Sequence, residues 1–427
     1  MSGPPTQQSQ DMARLERQAR RLHSPPRWVT GAAWACLALG AVGVLVGLLV
    51  APGRTWASLL ANFLFWTGVA QSGVVMAAVF NVTYARWGRM MQRIAAGLGA
   101  FLPVSLLLLA MLYFGRRYLF VWLGQSARNP WLHAEGLFAR DAAVLLVMTV
   151  LSLWFLYRSL RLDVGALSDE RPVGDRFAAW LTRGWRGMHW ERARNQRVLR
   201  NLSPAIIIGY ALGYSVLALD LAMTLDPLFT SEMFPGIYFI TEFYAALAVT
   251  TLLVATWRHS AGLEEIITPS HLLDLGNLTW AFTMLSGYVA WAQYIVIWYG
   301  NLPSQAAYLL LRSRVWPWNA LAGAAIGLGF VVPFLFLFGR GLKRHPVALA
   351  CIGASAAVGV LLERFLEVMP SVPSLEPTGY GLVEMVVTLG FAGAVALPYL
   401  WLIRRVPLFP VGDPLFTKAL AVRAVEV

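Results

Sequence analysis

Acidic side chains and one arginine stand inside long apolar stretches of this sequence, where a charge is costly. They are Asp220, Glu242, Glu363, Arg364, Glu367 and Glu384. Ionisable groups in apolar segments pair with one another or with carbonyl groups, and they commonly mark proton or ion pathways. If neighbouring stretches run antiparallel, all six lie near the same end, so we expect the acids to converge on Arg364. Such a cluster has two open roles, tying helices together or holding a proton.

A second set of polar residues lies towards the other end of these stretches. His271 and Asp274 are three positions apart, so a helix places them on one face. A histidine beside a carboxylate titrates near physiological pH and can collect protons. Between this pair and the acids stand Gln71, Tyr288 and Gln293, none of which titrates near neutral pH. We therefore expect any proton route to be two half-channels. The alternative is that Asp274 merely caps and anchors its helix.

The apolar stretches that carry these residues predict an all-α membrane protein. The chain has 427 residues, of which 58% are hydrophobic and 13% charged. About 20 apolar residues span a bilayer as a helix, and the backbone pairing that lipid demands leaves helices or closed barrels. The stretches are too long and too continuously apolar for barrel strands. Ten transmembrane helices are predicted, at about residues 28–50, 58–84, 94–114, 142–161, 203–223, 236–256, 278–299, 317–339, 347–369 and 380–403.

The distribution of arginine and lysine predicts the orientation of the chain. With the N-terminus inside, 26 of the 34 basic residues fall on the cytoplasmic side, seven fall outside and Arg364 lies within a span. Such an excess of Arg and Lys is typical of cytoplasmic segments. Both termini are therefore predicted to be cytoplasmic. The same bias accounts for the net charge of +12, so we expect no nucleic-acid partner.

Three regions follow from this pattern. Residues 1–27 form a basic, amphipathic N-terminal segment, expected to lie on anionic lipid or on a partner. Residues 28–403 form the ten-helix transmembrane domain, and residues 404–427 form a cytoplasmic tail. Within the domain, residues 158–202 are predicted as a long cytoplasmic loop rich in arginine and tryptophan. This loop either lies on the membrane surface or docks on a partner.

The sequence carries no pattern typical of a bound cofactor. None of its six histidines lies in the middle of a span, whereas a membrane cytochrome b holds haem between such histidines. The two cysteines, Cys36 and Cys351, are isolated in separate spans, and an iron–sulfur cluster normally takes four. No phosphate-binding loop, zinc signature or dinucleotide-binding glycine pattern is present. We therefore predict no cofactor and no metal in this chain.

Four stretches resemble the NrfD-like (polysulfide-reductase-like) family of membrane subunits, and within it the F subunits of bacterial alternative complex III. The most specific stretch, residues 271–303, ends in the quoted run Q-Y-I-V-I-W-Y-G-N-L-P, but Leu273 and Asn277 replace the usual histidine and lysine. Ala96 likewise stands where a glutamate is usual. The matching positions are Trp87, Arg93 and Pro103; Asp226, Pro227, Tyr238 and Phe239; Asp274, Leu275, Gly276, Gln293, Tyr294, Trp298, Tyr299, Asn301 and Pro303; and Pro333, Phe334, Arg340 and Lys343.

The resemblance implies a fold and a function. It implies two four-helix bundles, spans two to five and six to nine, flanked by one helix at each end. It implies a quinol:electron-acceptor oxidoreductase complex that oxidises menaquinol and passes electrons to cytochrome c or a blue-copper protein. The expected partners are a related ten-helix quinol-binding subunit, a multihaem cytochrome c with haem c, and an iron–sulfur subunit. For this chain it implies a structural role or proton conduction, with Asp226 as a further candidate for the proton path.

Two other functions are open from the sequence. The chain could be the quinol-binding subunit of a related molybdenum-type oxidoreductase, because quinone sites have no fixed motif and the acid cluster could face a quinol head group. It could also be a secondary transporter. Transporters usually carry broken spans in paired positions and a charged site near the membrane midplane, and this chain has no charge there.

Overall fold

A computed structural model describes residues 7–123, 131–168, 176–372 and 380–426 of the chain, and these residues form helices and connecting turns with no strand among them. The helices are, in chain order, α1 (Gln7–Ala19), α2 (Arg27–Val50), α3 (Pro52–Val82), α4 (Arg89–Ala96), α5 (Leu102–Leu119), α6 (Ala134–Ser168), α7 (Arg176–Leu181), α8 (Met188–Leu221), α9 (Phe234–Ser260), α10 (Pro269–Gly300), α11 (Pro303–Arg314), α12 (Trp318–Ile326), α13 (Val332–Phe336), α14 (Arg340–Arg344), α15 (Pro346–Val368), α16 (Leu382–Ile403) and α17 (Pro414–Glu426).

The chain is an all-helical, multi-pass membrane protein. Nine helical segments of its described part are long and apolar enough to cross a bilayer: α2, α3, α4 with α5, α6, α8, α9, α12 with α13, α15 and α16. A 3₁₀ turn joins α4 to α5, and a π turn joins α12 to α13. Each of the nine coincides with a predicted span. The remaining predicted span, 278–299, lies in α10, which is 32 residues long but is not among the nine.

The predicted loop 158–202 is largely helical. Helix α6 continues to Ser168 and α8 begins at Met188, so both helices extend well beyond the apolar stretches from which they were predicted. Three of the charges in these extensions, Arg158, Arg161 and Glu191, pair with one another inside the protein. Arg161 Nη2, for example, lies 2.6 Å from Glu191 Oε1. Charges that neutralise each other inside the protein allow the helices to continue past the end of the apolar stretch. Residues 169–175 of the predicted loop lie outside the described part.

The central helix is α3, which is buried almost throughout and packs against α5, α8, α9, α15 and α16. Helices α6 and α8 pack together beside it, as do α9 and α15. The two ends of the bundle carry different short helices. We call the end with α1, α7 and α17 the terminal face, and the end with α11 the opposite face. At each end, the packing of the helices brings together polar side chains that are far apart in the sequence.

The N-terminal segment is helical, as its amphipathic pattern predicts. Leu15 and Ala19 of α1 are buried, and α1 packs against α17. Arg14 Nη2 lies 2.7 Å from Glu265 Oε1, and Gln18 donates a hydrogen bond of 2.6 Å to the carbonyl of Gly262. The apolar face of α1 is thus covered at least partly by this chain itself. Residues 1–6 of the predicted segment lie outside the described part.

The first and last spans, α2 and α16, pack against each other through small residues. The Cβ of an alanine at Gly40 would lie 2.1 Å from the Cα of Gly390, and one at Gly43 would lie 2.3 Å from Val386 Cγ1. Gly40 and Gly43 are three residues apart on one face of α2, and their lack of a side chain permits this close packing.

Substitution of Gly40 by alanine is expected to destabilise the protein by about 1–3 kcal/mol, because the new methyl group meets backbone that cannot move without separating the helices. Gly31→Ala is the matched control, since Gly31 lies on the same helix with open space around its Cβ position. Thermal unfolding in detergent measures both. Equal midpoints for the two variants would contradict the close contact.

Candidate functional site

A buried arginine near the opposite face gathers three carboxylates. Arg364 of α15 is fully buried, and its Nη1 lies 2.7 Å from Glu367 Oε2. Its Nε lies 3.3 Å from Glu242 Oε1 of α9, and its Nη2 lies 3.4 Å from Glu363 Oε1. The Thr241 hydroxyl accepts a hydrogen bond from the same guanidinium. We call Glu242, Glu363, Arg364 and Glu367 the acid cluster.

Helix geometry places these side chains together. Glu363 and Glu367 are four residues apart and share a face of α15, while Thr241 and Glu242 project from the adjoining α9. The guanidinium carbon of Arg364 also lies 4.6 Å from the ring centroid of Tyr238, one turn earlier on α9. Arg364 is thus held on several sides by groups that favour a cation.

Glycine at position 68 allows Glu242 to lie against the central helix. A Cβ at Gly68 of α3 would lie 2.0 Å from Glu242 Oε2 and 2.3 Å from its carboxyl carbon. Any other residue would occupy the space of the carboxyl group. The acid cluster is therefore built from three helices, α3, α9 and α15.

Replacement of Gly68 by alanine is expected to cost about 1–3 kcal/mol of stability and to displace the Glu242 carboxyl group. Gly236→Ala is the control, because Gly236 lies on α9 with nothing near its Cβ position. Chemical denaturation in detergent compares the two. A Gly68→Ala protein as stable as the Gly236→Ala protein would show that Glu242 does not occupy this position.

The charges of the acid cluster do not balance. Three carboxylates face Arg364, and a further cation close to them is Arg312, whose guanidinium donates to the carbonyls of Leu366 and Glu367. Even with both arginines counted, one carboxylate would be left without a compensating charge. Both carboxylate oxygens of Glu242 are buried without a hydrogen bond in the described structure. An uncompensated buried charge costs several kcal/mol, so this arrangement favours a carboxyl group that holds a proton.

Two acids predicted to join Arg364 have arginines of their own. Arg54 donates to Glu384 through Nε at 2.5 Å and Nη2 at 2.9 Å, joining α3 to α16. Arg140 Nη2 lies 2.6 Å from Asp220 Oδ2, joining α6 to α8. The expected convergence is thus right for Glu242, Glu363 and Glu367 and wrong for Asp220 and Glu384. These arginines stand at helix ends, where the sequence suggested loop residues.

Asp226, the further candidate of the proton path, lies in the turn that follows α8. Its Oδ1 accepts a hydrogen bond of 3.1 Å from the backbone N–H of Leu228. This is a local side-chain turn that fixes the connection to α9. The structure therefore places Asp226 outside the acid cluster.

Buried polar groups in the middle of the bundle lie along α3. The amide of Gln71 donates to Ser152 Oγ at 2.9 Å, and Ser72 Oγ donates to Tyr210 Oη at 2.8 Å. Tyr288, by contrast, is 68% exposed and cannot contribute to an interior route. Gln293 is half-buried and lies four residues from the buried Val289 and Ile297, on the inward face of α10. The hydrogen-bonded polar groups beside Gln71 and Ser72 thus lie on α3, α6 and α8. The sequence did not indicate that these helices, more than α10, line the interior.

At the start of α10, His271 serves the helix N-terminus. Its Nδ1 accepts a hydrogen bond of 3.2 Å from the backbone N–H of Thr268, and its own N–H lies 3.5 Å from Thr268 Oγ1. This is a capping box. Asp274 is half-buried one turn further along and is not part of the cap. Capping of α10 by Asp274 is therefore wrong, whereas its proton role stays a prediction.

A buried ion pair lies near the terminal face, and the sequence analysis did not predict it. Arg93 of α4 pairs with Asp163 of α6, and both side chains are almost fully buried. Asp163 Oδ1 also accepts a hydrogen bond of 2.9 Å from the N–H of Gly412. The apolar residues on either side of Asp163, Leu162 and Val164, could have indicated that the helix continues this far. The surrounding arginines suggested a loop instead.

Lys343, which lies in one of the four stretches that carry the resemblance, is held by a neighbouring side chain. Its Nζ donates a hydrogen bond of 2.9 Å to Asn277 Oδ1 and lies 5.3 Å from the ring of Trp280. Burial and the neighbouring Arg340 lower the pKa of Lys343. Asn277, which replaces the usual lysine of the resembled family, thus acts as an acceptor where a second lysine would repel.

Among the described residues, no group of three or more His, Cys, Asp or Glu side chains is arranged to hold a metal ion. No protein-family model matches the chain, and no curated protein matches it significantly.

Proposed function

We propose that this chain is a cofactor-free integral membrane subunit of a quinol:electron-acceptor oxidoreductase of the alternative complex III type. The observation that carries the proposal is the acid cluster, in which three carboxylates share the buried Arg364. Such a cluster ties α9 to α15 and can bind a proton inside the membrane. The resemblance of residues 271–303 to F subunits supplies the kind of complex in which that proton would be used.

The proposal includes a location and a topology. The chain lies in the bacterial inner membrane and crosses it ten times, with α10 as the additional span and both termini in the cytoplasm. The terminal face is then the cytoplasmic face. The packing of α3, α5, α6 and α8, and of α9, α10, α12 and α15, supports two four-helix bundles. Helices α2 and α16 are the flanking spans, and they pack against each other.

The proton-conducting role is proposed as two half-channels. The acid cluster is the half on the opposite face, and Asp274 with His271 begins the half on the terminal face. Between them the hydrogen-bonded amide and hydroxyl groups of Gln71 and Tyr210 relay a proton only through water. The structural role does not depend on the conduction role, because the ion pairs of the cluster join helices in either case.

Purification under native conditions tests the proposed complex. The tagged chain is extracted from its own membrane with a mild detergent, and an unrelated multi-pass protein with the same tag serves as control. We expect haem c absorbance, iron–sulfur electron paramagnetic resonance signals and menaquinol oxidation to accompany the chain. Molybdenum in the purified assembly would favour the related molybdenum-type oxidoreductase instead. A chain that purifies alone and exchanges a solute across liposomes would favour a transporter.

A further inference from the structure

A cavity of about 790 Å³ opens at the terminal face. It lies between the turn after α3, the end of α6, the first turns of α8 and the segment before α17. Its volume falls within the range of about 300–1,000 Å³ that is usual for small-ligand pockets. Its lining includes no residue of the acid cluster and no residue of α10.

The acids that line this cavity already have partners. Asp413 Oδ2 lies 3.0 Å from Arg89 Nη1, and Asp163 pairs with Arg93. Arg89 is buried, and its guanidinium also donates to the side-chain oxygens of Asn81 and Gln92. Neither acid is left to neutralise further cations.

Four more cations line the cavity, and none of them has a carboxylate partner within the described residues: Arg192, Arg197, Arg200 and Lys418. Arg192 is fixed by a hydrogen bond of 3.3 Å from its Nε to the carbonyl of Gly412. Arg197, Arg200 and Lys418 are exposed at the rim. The cavity therefore carries an excess of positive charge that an anion would neutralise.

The cavity lies at the level of the membrane surface. Its wall includes Ser203 and Pro204, where the apolar stretch of α8 begins, and Val82 at the end of α3. Leu162 and Leu199 add apolar surface beside the cations. A soluble anion would gain nothing from the apolar part of this wall, whereas a lipid would use both parts.

We propose that this cavity binds the phosphate head group of an anionic phospholipid. Arginines bind phosphate oxygens through paired hydrogen bonds, and basic pockets between membrane helices bind anionic lipid head groups. The glycerol and the first methylene groups would lie against the apolar wall formed by α6 and α8. This binding would hold α8 and the C-terminal segment together at the membrane surface, independently of the proposed catalytic complex.

The test is a lipid titration of the delipidated protein by native mass spectrometry. The probes are phosphatidylglycerol, phosphatidylcholine and inorganic phosphate. The variant is the double substitution Arg197→Gln with Arg200→Gln. The matched control is Arg186→Gln with Arg194→Gln, which removes two arginines that lie over Trp190 outside the cavity. Thermal unfolding confirms that both double variants are folded.

We expect phosphatidylglycerol to bind in preference to phosphatidylcholine. The cavity variant should weaken that binding about twenty-five-fold, roughly fivefold for each near-surface cation removed, while the control variant binds as the unaltered protein does. Equal losses in the two variants would overturn the assignment of the cavity. Inorganic phosphate that binds as tightly as phosphatidylglycerol, or displaces it at equal concentration, would overturn the lipid assignment.

Discussion

Replacement of Arg364 by methionine is expected to lower the free energy of unfolding by about 3–5 kcal/mol, the usual cost of removing one partner of a buried ion pair. The variant leaves Glu242, Glu363 and Glu367 facing one another without their shared cation. Protonation can neutralise them, but the hydrogen bonds to Thr241 and Glu367 are lost as well. We expect less protein in the membrane and a markedly lower unfolding temperature.

A second variant separates charge from packing. Arg364→Met combined with Glu242→Gln removes one of the repelling carboxylates and is expected to recover part of the lost stability. Arg314→Met is the control, because Arg314 is an exposed arginine of α11 at the same face. Chemical denaturation in detergent measures all three proteins. If Arg364→Met were as stable as Arg314→Met, the acid cluster would not hold the helices together.

Substitution of Asp163 by alanine is expected to cost a similar 3–5 kcal/mol near the terminal face. It strands Arg93 as an unpaired cation in a buried site and removes the acceptor of the Gly412 N–H. Because Asp163 connects α4, α6 and the segment before α17, we also expect that segment to detach. Asp163→Asn keeps one acceptor oxygen, which can still serve the Gly412 N–H, and should cost less than the alanine variant.

Limited proteolysis reads out this detachment. Faster cleavage between α16 and α17 is expected in Asp163→Ala than in Asp163→Asn. The control is Asp274→Ala, which alters a half-buried acid of the same face away from this contact. Cleavage at the same rate in all three proteins would show that Asp163 does not anchor the C-terminal segment.

The spans could be predicted from the sequence because their information is local. A run of about 20 apolar residues defines a membrane helix whatever it packs against. The helix ends were less predictable where charges are buried in pairs. The arginines near Asp163 suggested a loop, yet Arg161 and Glu191 neutralise each other across two helices. Charge density in a sequence does not reveal such pairing, which depends on the contact of α6 with α8.

The partners of the acids could be predicted only in part for the same reason. Glu363 and Glu367 neighbour Arg364 on one helix, so their spacing alone indicates the contact. Glu384 lies 330 residues from its partner Arg54, and only the packing of α3 against α16 brings them together. Depth in the membrane indicates which groups share a level. It does not indicate which helices are neighbours. Helix packing is what pairs Glu384 with Arg54 and leaves Tyr288 exposed.

Infrared spectroscopy of the purified protein tests the central claim most directly, namely that the acid cluster holds a proton inside the membrane. Glu242→Gln is compared with the unaltered protein in H₂O and D₂O, and Glu135→Gln, an exposed glutamate of α6, is the control. We predict a carboxylic-acid C=O band at neutral pH that shifts in D₂O, loses intensity in Glu242→Gln and keeps its intensity in Glu135→Gln. The absence of that band from the unaltered protein, or an unchanged intensity in Glu242→Gln, Glu363→Gln and Glu367→Gln alike, would contradict the claim.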